Sequence, residues 1–366
     1  MREIVRKAGQ RFMIGFEGLE ASLDVKRLIR EFGVGHVVLF ARNVDRPEQV
    51  AELVRELQAT ARDAGHEMPL LVAVDQEGGR VARLRAPWTV WPPLRALGRT
   101  GSEETARRMG RALAAELRGS GIRCDFAPVM DVDTNPKNPV IGDRSFGSDP
   151  DLVGRLGVAM IEGLQEGGVA ASAKHFPGHG DTDVDSHLEL PAVDHSPSRL
   201  DDVELRPFRM AIAAGVAMVM TAHVLVRELD DELPATLSPR ILQRLLRDEM
   251  KFDGVIVSDD LEMKAVAKRW GAHAAVLAAK AGCDLLPVCI TPDVQVAAIE
   301  ALIRAVEAEE IPWKALDASA LRIRRLKERF LLPHRDPTPK EARLAAGPGE
   351  HRVLAEEIAR QSGIPV

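Results

Sequence analysis

Apolar and polar positions alternate along this chain in two rhythms. Short runs that are nearly continuous in apolar residues occupy 11–16 (RFMIGF), 36–40 (HVVLF), 70–74 (LLVAV), 123–130 (RCDFAPVM), 169–176 (VAASAKHF), 216–224 (VAMVMTAHV), 254–258 (GVIVS) and 283–288 (CDLLPV). Runs of this kind are expected of parallel strands buried on both faces. Longer amphipathic segments lie between them, at 24–32, 47–65, 103–121, 201–214, 239–250 and 264–281, and predict helices. Eight strands, each followed by a helix, predict an α/β fold, a (β/α)8 barrel forming one domain over 1–332; a doubly wound open sheet is the competitor. After Leu332 the rhythm breaks. Residues 333–350, rich in Pro, Gly and charge, are expected to be a linker, and 351–366 a C-terminal helix and tail that docks on the barrel.

Composition narrows the function class. The chain has 366 residues, 45% of them hydrophobic, which is ample for a large core. Net charge is −6 and no basic block stands out, so nucleic acid is not an expected partner. Charges interrupt every apolar run well before the roughly 20 residues of a membrane span, and the first sixteen residues have no signal-type hydrophobic region. Cys124, Cys283 and Cys289 lie in or beside strand-like runs, as expected for buried thiols in a reducing cytoplasm. A cytoplasmic monomer with no cofactor, acting on a small molecule, is the expectation.

Polar residues gather at strand ends. Asp75 ends the third strand, Asp131 follows the fourth, Lys174 and His175 end the fifth, His223 lies at the end of the sixth, and Asp259 follows the seventh. In a barrel these ends converge on one face, where barrel enzymes keep their active sites. Trp88 and Trp91, in the Pro-rich stretch RAPWTVWPP, are expected to cover the barrel rim as core, with stacking on a ligand as the alternative.

The stretch KHFPGHGDTDVDSH (174–187) is the densest in chemistry. His175 and His179 are four apart, but Pro177 and Gly178 break any helix between them and no HExxH glutamate exists, so a zinc site is not expected. Asp181, Asp183 and Asp185 alternate, yet Ser186 and Ala192 stand where a calcium loop needs Gly and Glu. A solvated turn accounts for Asp181 and Asp183. Asp185 two residues before His187, in a mobile Gly-rich loop, instead makes an acid/base dyad, because the carboxylate orients the ring and raises its pKa. In GVIVSDDLEM (254–263) an apolar strand delivers Asp259 to the barrel mouth. Asp259 is expected to be a nucleophile toward an electrophilic carbon, and Asp260 to cap the helix that begins near Leu261.

With GHVVLFARNV (35–44), VDQEGGRVARL (74–84), DVDTNPKNPVIGDRSFG (131–147), KHFPGHGDTDVDSH and FDGVIVSDDLEM (252–263), the chain resembles family 3 glycoside hydrolases over about residues 10–330. The likeness is to the bacterial single-domain β-N-acetylglucosaminidase type of peptidoglycan recycling. It implies Asp259 as nucleophile, His187 as general acid/base with Asp185 as its partner, and Asp75, Arg83, Arg144, Lys174 and His175 as residues that hold the sugar. His223 is expected either to contact substrate or to bond internally. The implied substrates are GlcNAc-containing muropeptides. The alternatives are a glucosidase or xylosidase of the same family, phosphorolysis with phosphate replacing water, a catalytically silent sugar-binding barrel, and Glu262 in place of His187 as the acid.

Overall fold

The computed structural model describes residues 2–186 and 188–366. All eight apolar runs form the strands of one parallel barrel. These are β1 (Phe12–Ile14), β2 (His36–Leu39), β3 (Leu71–Val74), β4 (Cys124–Asp125), β5 (Ala170–Phe176), β6 (Met218–Thr221), β7 (Val255–Val257) and β8 (Leu286–Val288). They pair in chain order, with β8 returning to β1. A bridge between Val257 and Leu285, with Ser258 N donating to Leu285 O at 3.0 Å, joins β7 to β8 and completes the ring.

Side chains alternate across each strand. Met13, Val38, Leu71, Ala73, Ala170, Met218, Val255 and Val257 form one apolar cluster, which fills the barrel interior. Phe12, Ile14, Val37, Leu39, Val72, Val74, Ala171 and Ile256 belong to the other, beneath the surrounding helices. Both faces are mostly apolar, so most strands read as nearly continuous apolar runs; the buried polar exceptions include His36, Asp125, Ser172, Lys174 and His175.

The helix Trp313–Leu331 plugs the barrel floor with Ile323, Leu326 and Phe330. There Arg247, Ser319 and Arg322 converge on the carboxylate of Asp284, which is fully buried. Lys327 of the same helix is buried too. Its Nζ donates to Gln10 Oε1 and Gly35 O, both at 3.0 Å, and burial pushes it down to about 7.

Two segments differ from expectation. The helical stretch 264–281 is two helices, Lys264–Trp270 and Ala274–Ala281, broken where Gly271 adopts φ 51°. The segment expected as a linker contains the helix Pro339–Ala345, started by a capping box between Thr338 and Glu341. Ala345 lies against Gly119, where any Cβ would collide with it. The last helix, Gly349–Ser362, buries Leu354, Ala355 and Ile358 against the barrel domain. Trp88 and Trp91 are core residues, each 2% exposed, and stacking on a sugar is excluded for both. Among the described residues no helix is long and apolar enough to cross a membrane.

Candidate active site

A cavity of about 350 Å³ opens at the C-terminal ends of the strands. Six of the residues expected at the site line it: Asp75, Arg83, Arg144, Lys174, His175 and Asp259. Phe40, Phe126, Met220, Met263 and Ile290 supply apolar wall, and His179 and Ser186 complete one side.

The turn after β3 carries the first of these groups. Asp75 ends the strand, and Gln76 then turns inward. Its Oε1 accepts from Arg83 N (2.8 Å) and Leu84 N (3.0 Å), and its Nε2 donates to Leu84 O (2.8 Å). This closes a tight hairpin whose bend needs two glycines. Gly78 has φ 98° and Gly79 φ 58°, and a Cβ on Gly78 would lie 2.5 Å from Pro92 O. The hairpin places Glu77, 1% exposed, beneath the cavity floor.

Glu77 is the hub of a buried ion network. It accepts a fork from Arg144, Nε and Nη2 both at 2.8 Å, and lies 2.6 Å from Lys174 Nζ. Lys174 Nζ also donates to Asp75 Oδ1 at 2.8 Å, and Arg83 Nη2 lies 3.4 Å from Asp75 Oδ2. Burial opposes ionisation of both carboxyls, but the neighbouring cations outweigh it and hold Glu77 and Asp75 below the usual carboxylate range. Burial likewise opposes the charge on Lys174, and Asp75 and Glu77 hold its pKa above the usual value. The network is therefore charged at neutral pH. Its free N–H and carboxylate lone pairs face a space suited to a polyhydroxylated ligand.

A second cluster grips β5 and the loop that follows it. His175 Nδ1 lies 2.7 Å from Asp131 Oδ2, and Arg144 Nη2 is 3.4 Å from Nε2. A guanidinium can only donate, so Nε2 accepts and Nδ1 carries the proton directed at Asp131. Asp131 also accepts from His179 N at 2.7 Å. Burial raises the Asp131 pKa, but His175 and His179 outweigh it and hold it low. The His179 ring sits between Thr182 Oγ1 (2.7 Å) and Ser186 Oγ (3.1 Å), and burial next to His175 pushes it down to about 4. His179 thus serves as a neutral strut, tying the start of the loop to Ser186. Ser186 O in turn accepts from Ala265 N at 3.3 Å, which anchors the loop on the Asp259 side.

Gly178 and Gly180, expected to free this loop, serve close packing instead. A Cβ on Gly178 would meet Glu204 at 2.9 Å, and one on Gly180 would strike the Val132 carbonyl. Asp181 and Asp183 are not simply solvated either, since they meet His195 Nε2 (2.9 Å) and Asn135 Nδ2 (2.7 Å). Asp185 is half-buried near the cavity rim, and its carbonyl accepts from Leu188 N and Glu189 N. His187 lies outside the described residues.

At the end of β7, Asp259 is half-buried and its Oδ1 accepts from Asp260 N at 2.8 Å. Asp260 caps a turn rather than the helix expected near Leu261. Its Oδ1 accepts from Glu262 N (3.1 Å) and from Cys289 N (3.2 Å) at the end of β8, and the helix starts only at Lys264. Burial, with the charges of Glu262 and Asp259, pushes Asp260 up to about 7 despite those two N–H donors. The sign follows. A carboxyl raised in the folded state binds a proton that the unfolded chain releases, so stability falls between about pH 4 and 7. Asp260→Asn keeps the accepting oxygen without the charge. It is expected to match wild type near pH 4 and to exceed it by a margin that grows up to pH 7, as read by urea denaturation at each pH. A constant difference across that range would show that Asp260 does not titrate this way.

Two readings left open by the sequence narrow here. His223 lies behind the cavity wall and not on it. It is fully buried, with Nδ1 2.8 Å from Thr236 Oγ1 and Nε2 donating to Asp260 O at 3.0 Å. It supports the turn that carries Asp259 and does not face the cavity. The carboxylate of Glu262 accepts from Ile290 N and Thr291 N, at the start of the helix Pro292–Glu307. Those bonds occupy it as a helix cap. Glu77 is the functional group not expected at the site from sequence. Its signal was a further carboxylate two residues past Asp75, at the same strand end. Asp131, expected with the other polar strand ends, sits behind His175.

The glycosyl hydrolase family 3 N-terminal domain matches residues 4–326. The chain belongs to that family. A β-hexosaminidase of Thiobacillus denitrificans is 42% identical over 77% of this chain and 78% of its own length. Beta-hexosaminidase A of Pseudoalteromonas piscicida is 35% identical over 92% of this chain, which spans only 60% of that protein. A solved family 3 β-N-acetylglucosaminidase from Paenibacillus superposes with a TM-score of 0.92 at 44% identity, covering 99% of this chain and 69% of that one. Within the family, the chain is a glycoside hydrolase of the β-N-acetylhexosaminidase kind.

Proposed function

We propose that the chain is a retaining exo-β-N-acetylglucosaminidase of the cytoplasm, releasing terminal β-linked GlcNAc from GlcNAc-anhydro-MurNAc fragments of peptidoglycan. The observation that carries this reading is Asp259, a half-buried carboxylate at the end of β7 that shares one cavity with Asp75, Arg83, Arg144, Lys174 and His175. In this reading those five residues hold the sugar ring. Asp75 accepts from sugar hydroxyls, while Arg144 and Lys174 donate to its oxygens.

Asp259 attacks the anomeric carbon as the bond to the leaving oxygen breaks, and His187, oriented by Asp185, gives that oxygen its proton. The product of this step is a covalent glycosyl-enzyme. Neutral His187 then takes a proton from water, the water oxygen bonds to the anomeric carbon, and Asp259 leaves. Two inversions give net retention.

A leaving-group series tests the acid role. His187→Ala is expected to lose on the order of 10²–10⁴ in kcat/KM with a poorly acidic phenol as leaving group, and far less with an activated nitrophenol. Equal losses with both would remove His187 from that role. Faster turnover of an aryl β-glucoside than of the aryl β-N-acetylglucosaminide would overturn the sugar assignment.

A further inference from the structure

The last helix, Gly349–Ser362, lies outside the barrel, yet its contacts lead step by step to the floor of the cavity. His351 Nδ1 is 2.8 Å from Glu116 Oε1. Glu116 is buried, 4% exposed, in the helix Glu103–Gly119. The same carboxylate accepts from Thr89, Oε1 from the hydroxyl at 2.6 Å and Oε2 from the backbone N–H at 3.0 Å. Thr89 sits in the loop between Trp88 and Trp91. Trp91 O accepts from Gly79 N at 2.8 Å, and a Cβ on Gly78 would collide with Pro92 O and one on Gly79 with Pro93. The residue before Gly78 is Glu77, which holds Arg144 and Lys174. Gly347 and Arg352 touch the same loop from outside, at Pro87 O.

From this chain of contacts we infer that His351 and Glu116 are positioning residues of the active site. Through them, the C-terminal helix clamps the 85–93 loop and so fixes where the Glu77 carboxylate stands. Neither touches the cavity. The physical basis is that Glu116 is a buried carboxylate whose lone pairs are shared between two elements. With His351 gone, it keeps only Thr89, which comes from the loop it must hold still. The Glu77 hairpin has little slack, because both its glycines abut backbone or proline ring. A displacement of the loop therefore passes to Glu77, and with it to the two cations.

This inference rests on the glycosidase reading, and the experiment separates the two. Wild type, His351→Ala, His351→Asn and Ile358→Ala are compared on an aryl β-N-acetylglucosaminide, well below the melting temperature of each. Ile358 is fully buried in the same helix but bonds nothing in this relay, so its truncation loosens helix packing alone. The expected result for His351→Ala is a kcat/KM lower by about 10-fold or more, carried mainly by KM, since substrate-holding groups are displaced and the nucleophile is not. His351→Asn, whose amide can donate to Glu116, is expected to restore most of it, and Ile358→Ala to stay within about 2-fold of wild type although it melts lower. Equal kcat/KM in wild type and His351→Ala would overturn the inference, as would an Ile358→Ala defect as large as that of His351→Ala. No turnover by wild type would sink the glycosidase reading itself.

Discussion

Asp259→Asn is expected to lower kcat on an aryl β-N-acetylglucosaminide by about 10⁴-fold or more, the scale seen when a covalent nucleophile is removed. Asparagine keeps the oxygen that accepts from Asp260 N at 2.8 Å, so the turn and the fold should survive. A thermal melt close to that of wild type would verify this. The loss should fall on kcat, because the neutral amide cannot bond to the anomeric carbon, while the residues that hold the sugar are untouched. Asp259→Ala sharpens the test. It leaves room for a small anion, and added azide should restore turnover, giving a glycosyl azide of the α configuration by a single inversion. A β-azide, or an Asp259→Asn enzyme with nearly wild-type kcat, would show that another group is the nucleophile.

Glu77→Gln is expected to cost about 3–5 kcal/mol of stability at pH 7, with Tm lower by roughly 4–7 °C. Glu77 is 1% exposed and is the shared partner of Arg144 and Lys174. Removing its charge leaves two buried cations with only Asp75 and the more distant Asp131 to offset them, and under-compensated buried charge is among the largest single-site penalties. The pH dependence has a definite sign. Arg144 and Lys174 outweigh burial and hold the folded-state pKa of Glu77 far below the unfolded value of about 4.3. Its stabilisation is thus fully present above about pH 5 and is lost as pH falls through the folded value. The gap between wild type and Glu77→Gln should therefore be wide at pH 7 and narrower at pH 3, as read by urea denaturation. Equal stability at pH 7 would contradict the network's role. Activity should fall as well, because Arg144 and Lys174 lose the group that orients them.

Much of the fold was legible locally. A parallel strand covered on both faces is apolar at nearly every position, and that property belongs to the segment itself. The eight runs read from composition are the eight barrel strands, and the polar residues at their ends share one cavity because closing a barrel brings those ends together. The misses have physical causes. A seven-residue helix at Pro339–Ala345 lies inside a Pro- and Gly-rich stretch, started by a capping box and held by packing on Gly119. By sequence alone Gly178 and Gly180 suggest freedom, because glycine is permissive. Their real constraint, the nearness of Glu204 and Val132, comes from distant parts of the chain.

The sequence alone determined the barrel, the end of it that carries chemistry, and the families of residue types gathered there, because each follows from local pattern. Only the tertiary structure decided the partners. Glu77 joins Arg144 across 67 residues, and Asp75 joins Lys174 across 99. His223 turns behind the wall to the Asp260 carbonyl, and Glu262 becomes the cap of another helix. Lys327 looks like any lysine of an amphipathic helix until that helix plugs the floor and burial pushes it down to about 7. Hydrogen bonds and ion pairs act over a few ångströms, and which groups come that close is set by barrel closure and helix docking, long-range events that no local pattern encodes.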